Sequence, residues 1–222
     1  MTYTGDVTPA GPPAIRELPG LTITKYAVDP RMANNCYLLR CTATGAQLLV
    51  DAADDAPALL ELTGGIVDTI VTTHQHWDHH RALADLAAVT RPMTVAGAPD
   101  ADAIESATGV PVSRRVGDGD VVRVGDVELE VIAIAGHTPG SICLLYRDPA
   151  GHPHLWTGDA LFPGGVGATF GDADAFATLI DQVETKIFDR LPDETWFYPG
   201  HGGDSTLGTE RPSLPDWRAR GW

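Results

Sequence analysis

A short apolar, β-branched run, Ile66–Thr72, leads directly into His74-Gln75-His76-Trp77-Asp78-His79. No other stretch restricts the possible folds of this chain as strongly. Four side chains able to bind a metal fall within six residues. On an α-helix, His74 and His76 would project about 200° apart and could not share an ion. In an extended turn they point to the same side and can hold one cation. Asp78 and His79 lie one step further and can hold another. A strand end supplies a rigid base for such a loop, so the sequence calls for a sheet with a polar site at its edge. Imidazole and carboxylate donors without thiolate suit Zn, Fe or Mn better than a closed structural zinc site.

Three later fragments repeat the form, a candidate ligand among glycines after an apolar strand. They are Gly136-His137-Thr138-Pro139-Gly140, Thr157-Gly158-Asp159 and Pro199-Gly200-His201-Gly202. Glycine permits close backbone approach and turns that residues with a Cβ avoid. Each fragment alone says little; their joint occurrence in this order is a strong signal.

Between them the pattern predicts strands at Leu21–Val28, Asn35–Arg40, Gln47–Asp51, Ser141–Arg147, His154–Thr157 and Thr195–Tyr198. A hairpin is expected from Val121–Val124 and Val127–Ile134, turning at Gly125-Asp126. Helices are expected at Ala56–Leu62, His80–Val89 and Asp174–Leu191. In the last, Phe176, Leu179, Ile180, Val183, Ile187 and Phe188 follow helical spacing. Met1–Ala14 reads as a loose arm, and residues 15–222 as one domain. Strands followed by helices, twice over, favour two packed sheets with helices outside.

Acidic residues number 30 against 15 basic, a formal charge of −15. Such a surface repels phosphate backbones, so no nucleic-acid partner is expected. Arg114-Arg115 reads as part of a solvated loop. No apolar stretch approaches the ~18 residues needed to span a bilayer. The opening Met1–Asp6 has no signal-peptide character. Cys36, Cys41 and Cys143 are odd in number, sit among apolar neighbours and suggest a reducing compartment, hence a cytoplasmic protein. His80 is expected to serve a helix start or orient the cluster, and His152 and His154 to be exposed beside Pro153. Trp77 is assigned equally to packing and to the pocket wall.

The motif series H-x-H-x-D-H, G-H-T-P-G, G-D and P-G-H-G resembles the metallo-β-lactamase superfamily, and within it the compact glyoxalase II-like thioester hydrolases. The resemblance runs from about Leu21 to Arg211. It implies an α/β fold, an αββα sandwich of two mixed β-sheets flanked by helices, with metals at one edge. It also implies that His74, His76 and His137 bind one divalent ion and Asp78, His79 and His201 a second, with Asp159 bridging. Zn is the first expectation for both ions, with Fe or Mn as alternatives. Asp78 would in addition orient the nucleophile. The implied reaction is hydrolysis of a small-molecule thioester by a metal-bridging hydroxide, in a monomer or homodimer.

The resemblance thins around the thiol. Only 21 residues follow His201, so the helical C-terminal domain of two-domain glyoxalase II enzymes is not expected. The family's basic residue in G-C-G-[RK] aligns with Ala168 of Gly165-Val166-Gly167-Ala168. Gly203 replaces the tyrosine two residues after the last histidine. Another thiol than glutathione, such as mycothiol given the GC-rich bias of 13 Arg to 2 Lys, is therefore expected. Glu210 and Arg211 are expected to form an ion pair, and Trp217 to Trp222 to pack against the body or another subunit. The alternatives are a persulfide-dioxygenase-type enzyme with one iron, a lactonase and a non-catalytic metal-binding scaffold.

Overall fold

The computed structural model describes residues 3–221. Strands β1 (Ala14–Glu17), β2 (Leu21–Ala27), β3 (Asn35–Cys41), β4 (Gln47–Val50), β5 (Thr69–Thr72), β6 (Met93–Gly97) and β7 (Arg114–Val116) lie in that order in one seven-stranded sheet. Its first four strands are antiparallel and the rest run parallel. The second sheet contains β8 (Val121–Val124), β9 (Val127–Ala133), β10 (Ile142–Arg147), β11 (Pro153–Gly158), β14 (Trp196–Pro199) and β15 (Ser205–Thr206). It is antiparallel except where β14 runs parallel to β11. A small ribbon, β12 (Leu161–Phe162) with β13 (Gly165–Val166), leaves the end of β11.

Strand periodicity sorts the core into layers. In β3, Tyr37 and Leu39 face the second sheet, while Cys36 and Leu38 face the outer helices. In β10, Ile142 and Leu144 point into the same central layer, and Cys143 and Leu145 point outward. Helices α1 (Ala56–Thr63), α2 (Leu83–Thr90) and α3 (Ala101–Thr108) accompany the first sheet. Residues of α4 (Ala173–Val183) and α6 (Leu214–Arg220) pack against the second; the four-residue α5 (Leu207–Glu210) lies between them in sequence. The architecture is the expected αββα sandwich. All three cysteines are buried and unpaired.

Several local expectations change. His154 is fully buried in β11, where its Nδ1 lies 2.9 Å from the Tyr198 hydroxyl. Pro153 begins that strand, a place where a missing N–H is tolerated, and so does not mark an exposed turn. Arg114 and Arg115 form the edge strand β7, and Arg115 pairs with Asp102 and Glu105 of α3. Three residues are too few to show alternation. Glu210 and Arg211 do not pair: Glu210 accepts from Ser205 and Gly164, while Arg211 pairs with Asp193. The long helix expected to reach Leu191 is α-helical to Val183 and continues as a π-helical segment, Glu184–Phe188.

From Tyr3 to Pro13 the described part of the N-terminal arm has no regular structure, but it is tied down. The Tyr3 hydroxyl donates to Asp204, and Lys25 Nζ donates to the Gly5 carbonyl. At the other end Trp217 is buried against Phe188; Trp222 lies outside the described residues. Among the described residues no helix is long and apolar enough to cross a membrane.

Candidate metal centre

The ends of three strands and one hairpin loop meet at a single edge of the sandwich. β5 delivers His74 and His76, and a 3₁₀ turn, Trp77–His79, then carries Asp78 and His79. The β9–β10 loop brings His137, β11 ends before Asp159, and β14 ends before His201. The parallel pairs β4–β5 and β11–β14 point their carboxyl ends the same way, which is why loops distant in sequence converge here. All seven residues expected from the sequence come together. They form three overlapping groups, His74/His76/His137, His74/His79/Asp159 and Asp78/His79/His201, each with donor atoms within 4.8 Å of one another.

The first trio is a closed triangle of ring nitrogens. His74 Nε2 lies 3.1 Å from His76 Nδ1, which is 2.9 Å from His137 Nε2, and His74 and His137 Nε2 are 3.3 Å apart. A ring nitrogen either donates or accepts, so three of them cannot satisfy one another with hydrogen bonds alone. Tetrahedral binding at ~2.0–2.1 Å spaces donors by roughly 3.3 Å, so one cation fits this triangle. On the other side, His79 and His201 Nε2 are 3.2 Å apart, and Asp78 Oδ2 is 3.6 and 3.4 Å from them. Asp159 spans the two groups: Oδ1 is 3.3 Å from His79, and Oδ2 is 3.4 Å from His201 and 3.6 Å from His137. Its buried Oδ1 makes no hydrogen bond among the described residues and has only the approach to His79 at 3.3 Å, which leaves acceptor capacity for a cation.

Electrostatics agree with that fit. Burial, reinforced by neighbouring imidazoles, holds His74, His76 and His137 below the ordinary histidine range, so they present neutral nitrogens. Burial opposes ionisation of Asp159, yet His79 and His201 keep it well below the usual carboxylate range. At the first group, neutral imidazoles beside an ionised carboxylate are the protonation pattern that metal binding requires. At the second, burial is outweighed by Asp159 and Asp51, which hold His79 well above the ordinary histidine range, and by Asp159 and Asp78, which push His201 up to about 9, so an ion there has to displace protons.

Supporting contacts fix the donors, and most were not identified from the sequence. Asp51, on left-handed backbone (φ 58°), stands 2.8 Å from His79 Nδ1 and accepts from both the amide and hydroxyl of Thr73. Thr73 Oγ1 in turn lies 3.1 Å from His74 Nδ1. Asn34 Nδ2 donates to the carbonyl and Oδ2 of Asp78. Asp100 joins two ligand loops by accepting from Gln75 N, Thr138 Oγ1 and Gly140 N. The only sequence signal for Asp51 is an acidic residue closing a buried strand. His80 is not among the donors; its Nε2 reaches back to the Gln75 carbonyl. At Gly200 a Cβ would overlap the Asp159 carboxylate and come within 2.7 Å of the His79 ring, so the last ligand loop requires glycine.

A cleft of about 400 Å³ opens above the donors. Met32, Trp77, Phe162, Ala168 and Phe170 form its walls. Trp77, more than half exposed, thus lines the cleft, and Arg81 lies over its ring.

Residues 29–201 match the metallo-β-lactamase superfamily. The chain is 36% identical over 171 residues to a hydroxyacylglutathione hydrolase of Polaromonas sp., covering 74% of this chain and 60% of that one. It thus spans about three fifths of the length of that curated relative. ETHE1 from Myxococcus xanthus superposes with a TM-score of 0.74 at 28% identity, covering 89% of this chain and 84% of that one. The di-iron-bound form of TTHA1623 does so with a TM-score of 0.69 at 29% identity, covering 86% and 98%.

Proposed function

This chain is a member of the metallo-β-lactamase superfamily, and on that footing we propose a metal-dependent hydrolase that cleaves thioesters of a low-molecular-weight thiol. The observation that carries the proposal is Asp159, whose two oxygens reach donors of both groups. His74, His76 and His137 would hold one divalent ion, Asp78, His79 and His201 the second, and Asp159 both. Two ions there would supply Lewis acidity toward a carbonyl and a water acidic enough to attack at neutral pH.

The chain's own residues then have defined tasks. Asn34 holds the Asp78 carboxylate, which would orient the attacking water. Asp51 keeps the second nitrogen of His79 engaged, so Nε2 faces the centre. The leaving thiolate needs little protonation, because a thiol pKa is near 8.5. This matches a cleft whose described lining holds no titratable residue besides the candidate ligands. The likeness to a hydroxyacylglutathione hydrolase supports thioester chemistry. The di-iron neighbour supports two ions and keeps iron beside zinc as the identity.

The test is Asp159→Ala, read by metal analysis and by turnover of a thioester panel. We expect fewer than two ions per chain and a loss of more than about a hundredfold in turnover, since even outer partners of metal ligands contribute about 10- to 100-fold. Unchanged metal content and turnover would overturn the dinuclear reading. The likeness to ETHE1 favours a second reading, a persulfide-dioxygenase-type enzyme with one iron. One iron per chain with oxygen uptake on a persulfide would select it.

A further inference from the structure

The walls of the cleft differ from its floor. The floor consists of donors for cations, whereas the walls are Met32, Trp77, Phe162, Ala168 and Phe170. Neither lysine nor arginine is among the described lining residues. Arg81 lies behind Trp77, its guanidinium 4.7 Å from the ring centre, and Asp29 and Asp54 neutralise it at 2.6 and 3.2 Å; Arg220, at the Phe162–Ala168 segment, donates to the Gly164 carbonyl. Arg31 precedes Met32 in the chain without lining the cleft.

Phe170 is the most telling wall residue. It is 79% exposed and sits on left-handed backbone (φ 55°), an unusual place for a bulky side chain. Its ring meets His76 edge-on at 5.8 Å and lies 6.2 Å from His137. Strain and apolar exposure coincide at the mouth of the site, where both acquire a use once a ligand covers the ring.

We propose that the substrate is an uncharged thioester whose groups flanking the scissile carbonyl are apolar and lie against Phe170, Trp77, Met32 and Phe162. This rests on the hydrolase reading above and narrows its substrate class. A carboxylate on the thiol half, lying against the walls, would meet neither lysine nor arginine among the described lining residues, and beyond the ions of the floor it would face a chain whose own formal charge is −15.

A matched pair tests the inference: S-phenylacetyl-N-acetylcysteamine and S-phenylacetyl-N-acetylcysteine, identical except for one carboxylate. With metal-loaded enzyme at low salt, the neutral ester should be preferred about tenfold or more in kcat/KM, and added salt should narrow the gap. Met32→Lys should raise kcat/KM for the carboxylate ester selectively. Phe170→Ala should raise KM for the phenylacetyl esters more than for the acetyl ones. Equal rates or preference for the carboxylate ester would overturn the proposal. Hydrolysis of neither ester would instead remove the hydrolase reading. Calorimetric titration with the two corresponding thioethers then decides: tighter binding of the neutral one supports the inference, and any other result, including no binding, overturns it.

Discussion

The carboxylate of Asp51 lies 2.8 Å from Nδ1 of His79, and both side chains are buried. Asp51 leaves the end of β4 on left-handed backbone, and His79 lies in the 3₁₀ turn after β5. A parallel pair of strands thus lets one chain end orient a donor on the next.

Because Asp51 also grips Thr73, which neighbours His74 in space, it positions donors of both groups. Asp51→Asn should weaken metal binding about 10- to 100-fold while preserving the fold. Competitive titration with a chromophoric chelator measures it. Wild-type affinity in that variant would remove Asp51 from the orienting role.

Gly200→Ala places a methyl group on the Asp159 carboxylate and the His79 ring. Its backbone is not left-handed, so the expected damage is local crowding. Metal content should fall below two ions per chain, with the far-ultraviolet circular dichroism of wild type. Full occupancy would show that the loop can yield.

Lys25 and Asp204 form a fully buried ion pair at 2.6 Å, and Lys25 also donates to Gly202 next to His201. Removing one partner strands a buried charge, so Lys25→Met should cost roughly 3–5 kcal/mol in denaturant unfolding. Lys25→Met with Asp204→Leu should recover part of that loss, because no charge is then left unpaired. A double variant no more stable than the single would refute the pairing as the source.

Burial, with the nearby His152 and Arg16, holds His154 down at about 3. The unfolded chain titrates this residue near ~6.5. Below that pH the unfolded state binds the extra proton, so stability falls from about pH 6.5 toward about pH 3. The slope for this one group approaches ~1.4 kcal/mol per pH unit. His154→Phe should flatten the curve in that window, whatever its effect at pH 7. An unchanged slope between wild type and variant would mean His154 protonates equally in both states.

Sequence legibility followed how local each signal was. The seven donors were legible because each sits beside glycine or in a dense cluster after an apolar strand, and that pattern needs no knowledge of packing. The strands β2 to β5 and the hairpin β8–β9 were legible as apolar, β-rich runs bounded by turn residues. β1, β6, α3 and β7 were not: β1 and β7 are edge strands of four and three residues, too short to show a period, and neither the five-residue β6 nor α3, with only Ala101 and Ile104 buried, marks itself by an apolar run. Asp51, Asn34 and Asp100 were invisible for another reason. Their partners lie 28, 44 and 25–40 residues away, and a lone acid or amide carries no mark of such a contact.

What the sequence alone offered is a set of seven candidate donors and the order in which strands deliver them, from residue type and spacing, with their assignment to two ions implied by the family resemblance. Tertiary structure decided which donors share a point, that Asp159 stands between them, and that the cleft walls are apolar. It also buried His154, whose polar neighbourhood in sequence suggested exposure. Strand pairing made these decisions: register across sheets sets which distant side chains meet, and that register is fixed by the packing of two whole faces rather than by any local run of residues.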